Sequence, residues 1–142
     1  MILLDTNILV HGNQETSPHY TAIIQKLIEL ADINEELAIC PQVLYEFYVM
    51  ATRPGEARGG LGMNSDEALE QIEKFQKIYT FIDDPDNLFI TWRNLMVKYG
   101  SQGTAGHDAR LVAFMQTQSI EQIYTMNSKH FTRYADIITV LN

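Results

Sequence analysis

The stretch ILLDTNILV (residues 2–10) decides the fold. Ile2, Leu3 and Leu4 run without the in-and-out alternation of a half-solvated sheet, and such a run belongs to a strand buried on both faces. Asp5 interrupts it, and Ile8, Leu9 and Val10 resume the apolar pattern at once. An ionised carboxylate in apolar surroundings is costly unless something positive meets it. Asp5 therefore reads in two ways. It is either a turn or cap residue sharing local hydrogen bonds with Thr6 and Asn7, or a functional acid at the end of the first strand.

Two further acids stand in stretches that otherwise favour burial: Glu46 in VLYEFYVM (43–50) and Asp108 in HDARLVAFM (107–115). Glu46, flanked by Val43, Leu44, Phe47, Val49 and Met50, has little polar company; its bland alternative is a narrow exposed strip shared with Arg53. Asp108 has its own alternative, charge stabilisation of a helix N-terminus. Yet Val112 and Met115, four and seven residues on, share its stripe and aim it at the core edge. No equally buried Lys or Arg lies near these acids in sequence, so a hard divalent cation, Mg2+ or Mn2+, is the expected partner. Such an ion supplies a water of lowered pKa and neutralises charge on phosphate oxygens. His107, a lone histidine, is not enlisted as a ligand.

Outward from this opening, strands alternate with helices. Ser17 and Pro18 suggest a helix start, followed by an apolar stripe from Tyr20 to Ala31. Residues 37–40 (LAIC) read as a second strand, and Pro41 opens a helix through about Ala51. The glycine-rich segment 51–65 is a loop. Residues 66–81 carry a helix with Leu69, Ile72, Phe75 and Tyr79 on one face, and 80–83 a short strand. A helix follows Asp86, another begins near His107, and residues 120–125 and 137–141 are strands. The alternation predicts an α/β fold with a mostly parallel sheet, whose sites form outside the carboxyl ends of the strands. Asp5 and Asn127 both fall at such ends. Residues 1–142 read as one domain, without repeats or low-complexity tracts.

At 142 residues the chain is long enough for a continuous core. No apolar run nears the roughly 20 residues of a membrane span, and no basic stretch precedes an apolar one as in a signal peptide. A single cysteine, Cys40, excludes an internal disulfide and fits a cytoplasmic location. The net charge of −8 argues against a binder held to nucleic acid by charge alone. It is compatible with an enzyme whose carboxylates hold cations.

Four segments, LLDTNILV (3–10), PQVLYEFYVMATRP (41–54), HDARLVAFM (107–115) and YTMNSKHFTRY (124–134), together resemble the PIN-domain nucleases, and within them the VapC-like toxins of type II toxin–antitoxin systems. The resemblance implies a three-layer α/β/α PIN-like fold with a central, mostly parallel sheet. It further implies a Mg2+- or Mn2+-dependent endoribonuclease, a homodimer, and neutralisation by a cognate antitoxin protein. Asp5, Glu46 and Asp108 match the acidic metal positions, and Thr6 a supporting hydroxyl. Asn127 stands where many members carry a fourth acid, and an amide there brings no charge. Arg53, Arg58, Arg110, Lys129 and Arg133 are candidates for contacts to RNA phosphate, while Arg110 has the alternative of pairing with a carboxylate. Two other functions compete: a degenerate PIN domain that binds RNA or protein without cutting, and an aspartyl-phosphate phosphatase. The second usually wants an acid two residues after the nucleophile, where this chain has Asn7.

Overall fold

The computed structural model describes residues 1–55 and 59–142, so the phosphate-contact expectation for Arg58 falls outside the described residues. Strands β1 (Ile2–Leu4), β2 (Leu37–Ile39), β3 (Thr80–Phe81), β4 (Gln122–Tyr124) and β5 (Thr139–Leu141) form one parallel sheet in the order β3-β2-β1-β4-β5. Helices α1 (Thr6–Gly12) and α2 (Tyr20–Asp32) join β1 to β2. Helices α3 (Pro41–Ala51) and α4 (Ser65–Ile78) lead to β3, and α5 (Leu88–Tyr99) and α6 (Ala105–Thr117) return the chain to β4. Parallel crossovers are right-handed, so the outgoing helices α1–α4 and the returning pair α5 and α6 cover opposite faces. The expected three-layer α/β/α architecture is the one observed.

The apolar patterns explain the layers. All three residues of β1 are buried, as a central strand covered on both sides requires. Helix α6 buries Ala109 and the whole run Leu111–Met115, which is why its sequence is apolar nearly all round. Helix α4 is capped reciprocally: Asn64 Oδ1 accepts from the Glu67 amide and Glu67 Oε2 from the Asn64 amide, each at 2.9 Å. Replacing Asn64 with Ala is expected to cost about 1 kcal/mol, read as a lower urea midpoint at unchanged slope.

Two local expectations change. The apolar residues 8–10 belong to α1, a helix of 7 residues too short to declare itself by periodicity. Helix α2 begins at Tyr20 and not at Ser17. The Ser17 hydroxyl instead accepts from the His19 amide at 3.2 Å and meets His11 Nδ1 at 2.9 Å, which holds Ser17–His19 in a turn ahead of the helix.

The chain leaves β1 toward β2 and comes back to β4 on the other side of β1. Adjacent strands whose connections depart in opposite directions leave a crevice at their carboxyl ends. The Asp5 amide, donating to the Tyr124 carbonyl at 3.0 Å, closes the floor of that crevice.

Candidate metal centre

Each acid is delivered to the crevice by a different element. Asp5 follows β1 and caps α1, its Oδ1 accepting from the Thr6 amide at 2.7 Å. The cap alternative is thus true of Asp5, but it leaves Oδ2 free to accept from the Thr125 hydroxyl at 2.6 Å and the Asn7 amide at 2.7 Å. Glu46 reaches in from α3. Its Oε2 accepts from the Thr6 hydroxyl and its Oε1 from Gln42 Nε2, both at 2.8 Å. Asp108 stands in the first turn of α6, with His130 Nδ1 at 3.3 Å from its Oδ2.

The three carboxylates line one cavity of about 480 Å³, shared with Thr6, Asn127 and Arg53. Asp5 is buried, whereas Glu46 and Asp108 are half-buried. That corrects the expectation that all three stand in buried surroundings. Sequence neighbours on a helix point to different faces: Phe47 is fully buried, yet Val49 is 50% exposed. Tyr45, beside Glu46 in sequence, is 69% exposed at the cavity lip.

The candidate cationic residues separate. Arg53 lines the cavity, as does His130. The close turn behind Arg53 depends on Gly60, where a Cβ would fall 2.1 Å from the Pro54 carbonyl oxygen. Lys129 is exposed on the short 3-10 turn Ser128–His130 and does not line the cavity. Arg110 is turned away from the acids. Its guanidinium pairs with Asp84 at 2.6 Å and donates to Gln42 Oε1 at 3.0 Å, which is the carboxylate-pairing alternative and sets it outside the cavity lining. Among the described residues Glu46 has no cationic side chain within ion-pair distance, which removes the pairing with Arg53 as its explanation.

Two polar residues that the sequence did not single out are central. Thr125, fully buried, donates to Asp5 while its oxygen accepts from Asn7 Nδ2 at 3.2 Å and the Asn127 amide at 3.0 Å. Asn7 Oδ1 completes the brace by accepting from the Met126 amide at 2.9 Å. The second such residue is Gln42, between Glu46 and α6.

Burial pushes the Asp5 carboxyl above its ordinary value, against its bonds from Thr125 and Thr6, and the charges of Glu46 and Asp108 push the same way. Asp108 is also raised, first by burial, with His130 opposing and Glu46 adding. A raised folded-state pKa favours the protonated form. Its stabilising contribution is complete below the ordinary carboxylate value and lost as pH rises through the raised one. At neutral pH these acids repel one another, and a bound cation relieves that repulsion.

Among the described residues, no group of three His, Cys, Asp or Glu side chains stands ready to hold a metal ion. The donor chemistry nonetheless fits one. Three carboxylates face one cavity, and Mg2+ prefers oxygen ligands, keeping several waters while using few protein carboxylates. Protons compete with a cation for these carboxyls, and the raised pKa values strengthen the competition. The Mn2+ dissociation constant should therefore rise as pH falls from neutral through their titration, measured by EPR. A dissociation constant that stays unchanged as the pH is lowered from neutral through the ordinary carboxylate range would contradict cation binding by these groups.

The PIN domain family model matches residues 2–137, and the chain belongs to that family. No curated protein sequence matches it. Among solved structures, it is similar to VapBC2 from Rickettsia felis bound to a promoter DNA fragment, with 20% identity, a TM-score of 0.70, and 100% of both chains covered. It is also similar to Mycobacterium tuberculosis VapC20, a Sarcin-Ricin loop cleaving toxin, with 13% identity and a TM-score of 0.68 over 98% of this chain and 97% of that one. FitAcB from Neisseria gonorrhoeae gives 18% identity and a TM-score of 0.68 over 100% and 97% of the two chains. At these identities the likeness establishes a shared fold. Among the described residues no helix is long and apolar enough to cross a membrane.

Proposed function

We propose that this PIN-domain protein is a metal-dependent endoribonuclease and the toxin of a toxin–antitoxin pair. The observation that carries the catalytic part is the convergence of Asp5, Glu46 and Asp108 on one cavity at the carboxyl ends of β1 and β4. The toxin part rests on the likeness to chains from toxin–antitoxin complexes, including one from Klebsiella pneumoniae at 20% identity. It carries with it the expectation of a cognate antitoxin, a homodimer and a cytoplasmic location.

In this arrangement Asp5, Glu46 and Asp108 would hold Mg2+ or Mn2+, which when bound supplies an activated water and neutralises developing phosphate charge. The chain's own part is positional. Thr125 and the Thr6 amide fix both oxygens of Asp5, while Thr6 and Gln42 fix both oxygens of Glu46. Arg53, at the cavity wall, meets the phosphate backbone of the incoming strand. Asn127, exposed beside the acids, orients water or a phosphate oxygen through its amide without adding charge.

Incubation with structured and unstructured RNAs under Mg2+, Mn2+ and EDTA tests the reading. Cleavage should require the metal and leave 5′-phosphate and 3′-hydroxyl ends, because water and not the 2′-hydroxyl attacks. Cyclic-phosphate ends, or cleavage undiminished in EDTA, would contradict it. RNA bound but never cut would favour a degenerate binding module.

A further inference from the structure

Gln42, in the first turn of α3, is 6% exposed. Its Nε2 donates to Glu46 Oε1 at 2.8 Å and to the His107 carbonyl at 3.0 Å, and its Oε1 accepts from Arg110 Nη1 at 3.0 Å. These partners permit one amide orientation only. Turned over, the oxygen would face two acceptors and the nitrogen a guanidinium. Arg110 is fixed from behind by Asp84, whose Oδ2 accepts from Nη2 at 2.6 Å. Asp84 Oδ1 is shielded from solvent and has no partner among the described residues, so this carboxylate is committed to the arginine.

The chain of contacts thus runs from the loop after β3 through α6 and α3 to a carboxylate of the candidate centre. Its last member acts on two acids together. The amide clamps Glu46 from the side opposite Thr6, and it holds the α6 backbone at the residue before Asp108. A guanidinium hydrogen-bonded to the amide oxygen also polarises the amide, strengthening its donation to Glu46.

We propose that Gln42, oriented by Arg110 and Asp84, is a positioning residue that aligns Glu46 and Asp108 for the divalent cation. The proposal rests on the reading of the cavity as a metal centre. Partners that orient metal ligands typically govern 10- to 100-fold in affinity. A plain staple between α3 and α6 would act otherwise, lowering thermal stability while leaving the folded protein's affinity for metal unmoved.

The test is Mn2+ titration by EPR on the wild type, Asp5→Asn, Gln42→Leu and Arg110→Met, each with a thermal melt. Gln42→Leu should bind Mn2+ about tenfold more weakly while still folded, and Arg110→Met several-fold more weakly, since the amide loses its fixed orientation. Wild-type affinity in a folded Gln42→Leu overturns the proposal and leaves the metal centre standing. Should Gln42→Leu fail to fold, Arg110, which is partly exposed, decides in its place, and wild-type affinity in Arg110→Met overturns the proposal. If the wild type itself binds no Mn2+, the metal centre falls and the positioning role falls with it.

Discussion

Asp5→Asn should reduce metal-dependent RNA cleavage by roughly 10³-fold, the size expected when several kcal/mol of metal-borne charge stabilisation is lost. Asp5 is the buried member of the three acids, and it is held by three hydrogen bonds from Thr6, Asn7 and Thr125. An amide in its place removes the charge that faces the cavity and sets a donor where these neighbours also donate. The fold should survive, because Thr6–Gly12 keeps an acceptable N-cap in Asn. Cleavage assays beside far-UV circular dichroism separate the two effects. Cleavage within a few-fold of wild type would remove Asp5 from the site.

The second large effect is expected at Thr125→Val, a nearly isosteric change at a fully buried position. It deletes the 2.6 Å bond to Asp5 and strips the Asn7 amide and the Asn127 backbone N–H of their shared acceptor. Loss of a hydrogen bond to a charged group, with donors left unpaired, costs about 2 kcal/mol of stability. Activity should fall roughly 10- to 100-fold, the range for partners that orient a metal ligand. Thr125→Ser, which keeps the hydroxyl, should restore most of the activity. If Val and Ser variants lose activity equally, packing and not the hydroxyl accounts for the loss.

What could be read from the sequence divides along physical lines. Asp5, Glu46 and Asp108 stood out because charge amid apolar residues carries an energetic cost that needs an explanation. Thr125 and Gln42 carry no such signature. A neutral hydroxyl at a strand end or an amide in a helix's first turn is unremarkable locally, and Thr125 acts on a partner 120 positions away. The sheet and its helices followed from apolar runs and stripes, whereas α1 did not, since 7 residues span fewer than two full turns. Glu46 is less buried than its sequence neighbours suggest, because adjacency in sequence is not adjacency in space. Val49, one of the apolar neighbours that suggest a buried environment, is half exposed. Arg110 was open to two readings, and only the distance to Asp84 separates them.

Mn2+ titration of the purified protein at neutral pH, followed by EPR beside Asp5→Asn and Asp108→Asn, tests the carboxylate centre most directly. Saturable binding to the wild type, weakened in both folded variants, is the predicted result. No binding at millimolar Mn2+, or equal binding by wild type and variants, would contradict a metal site built on these acids.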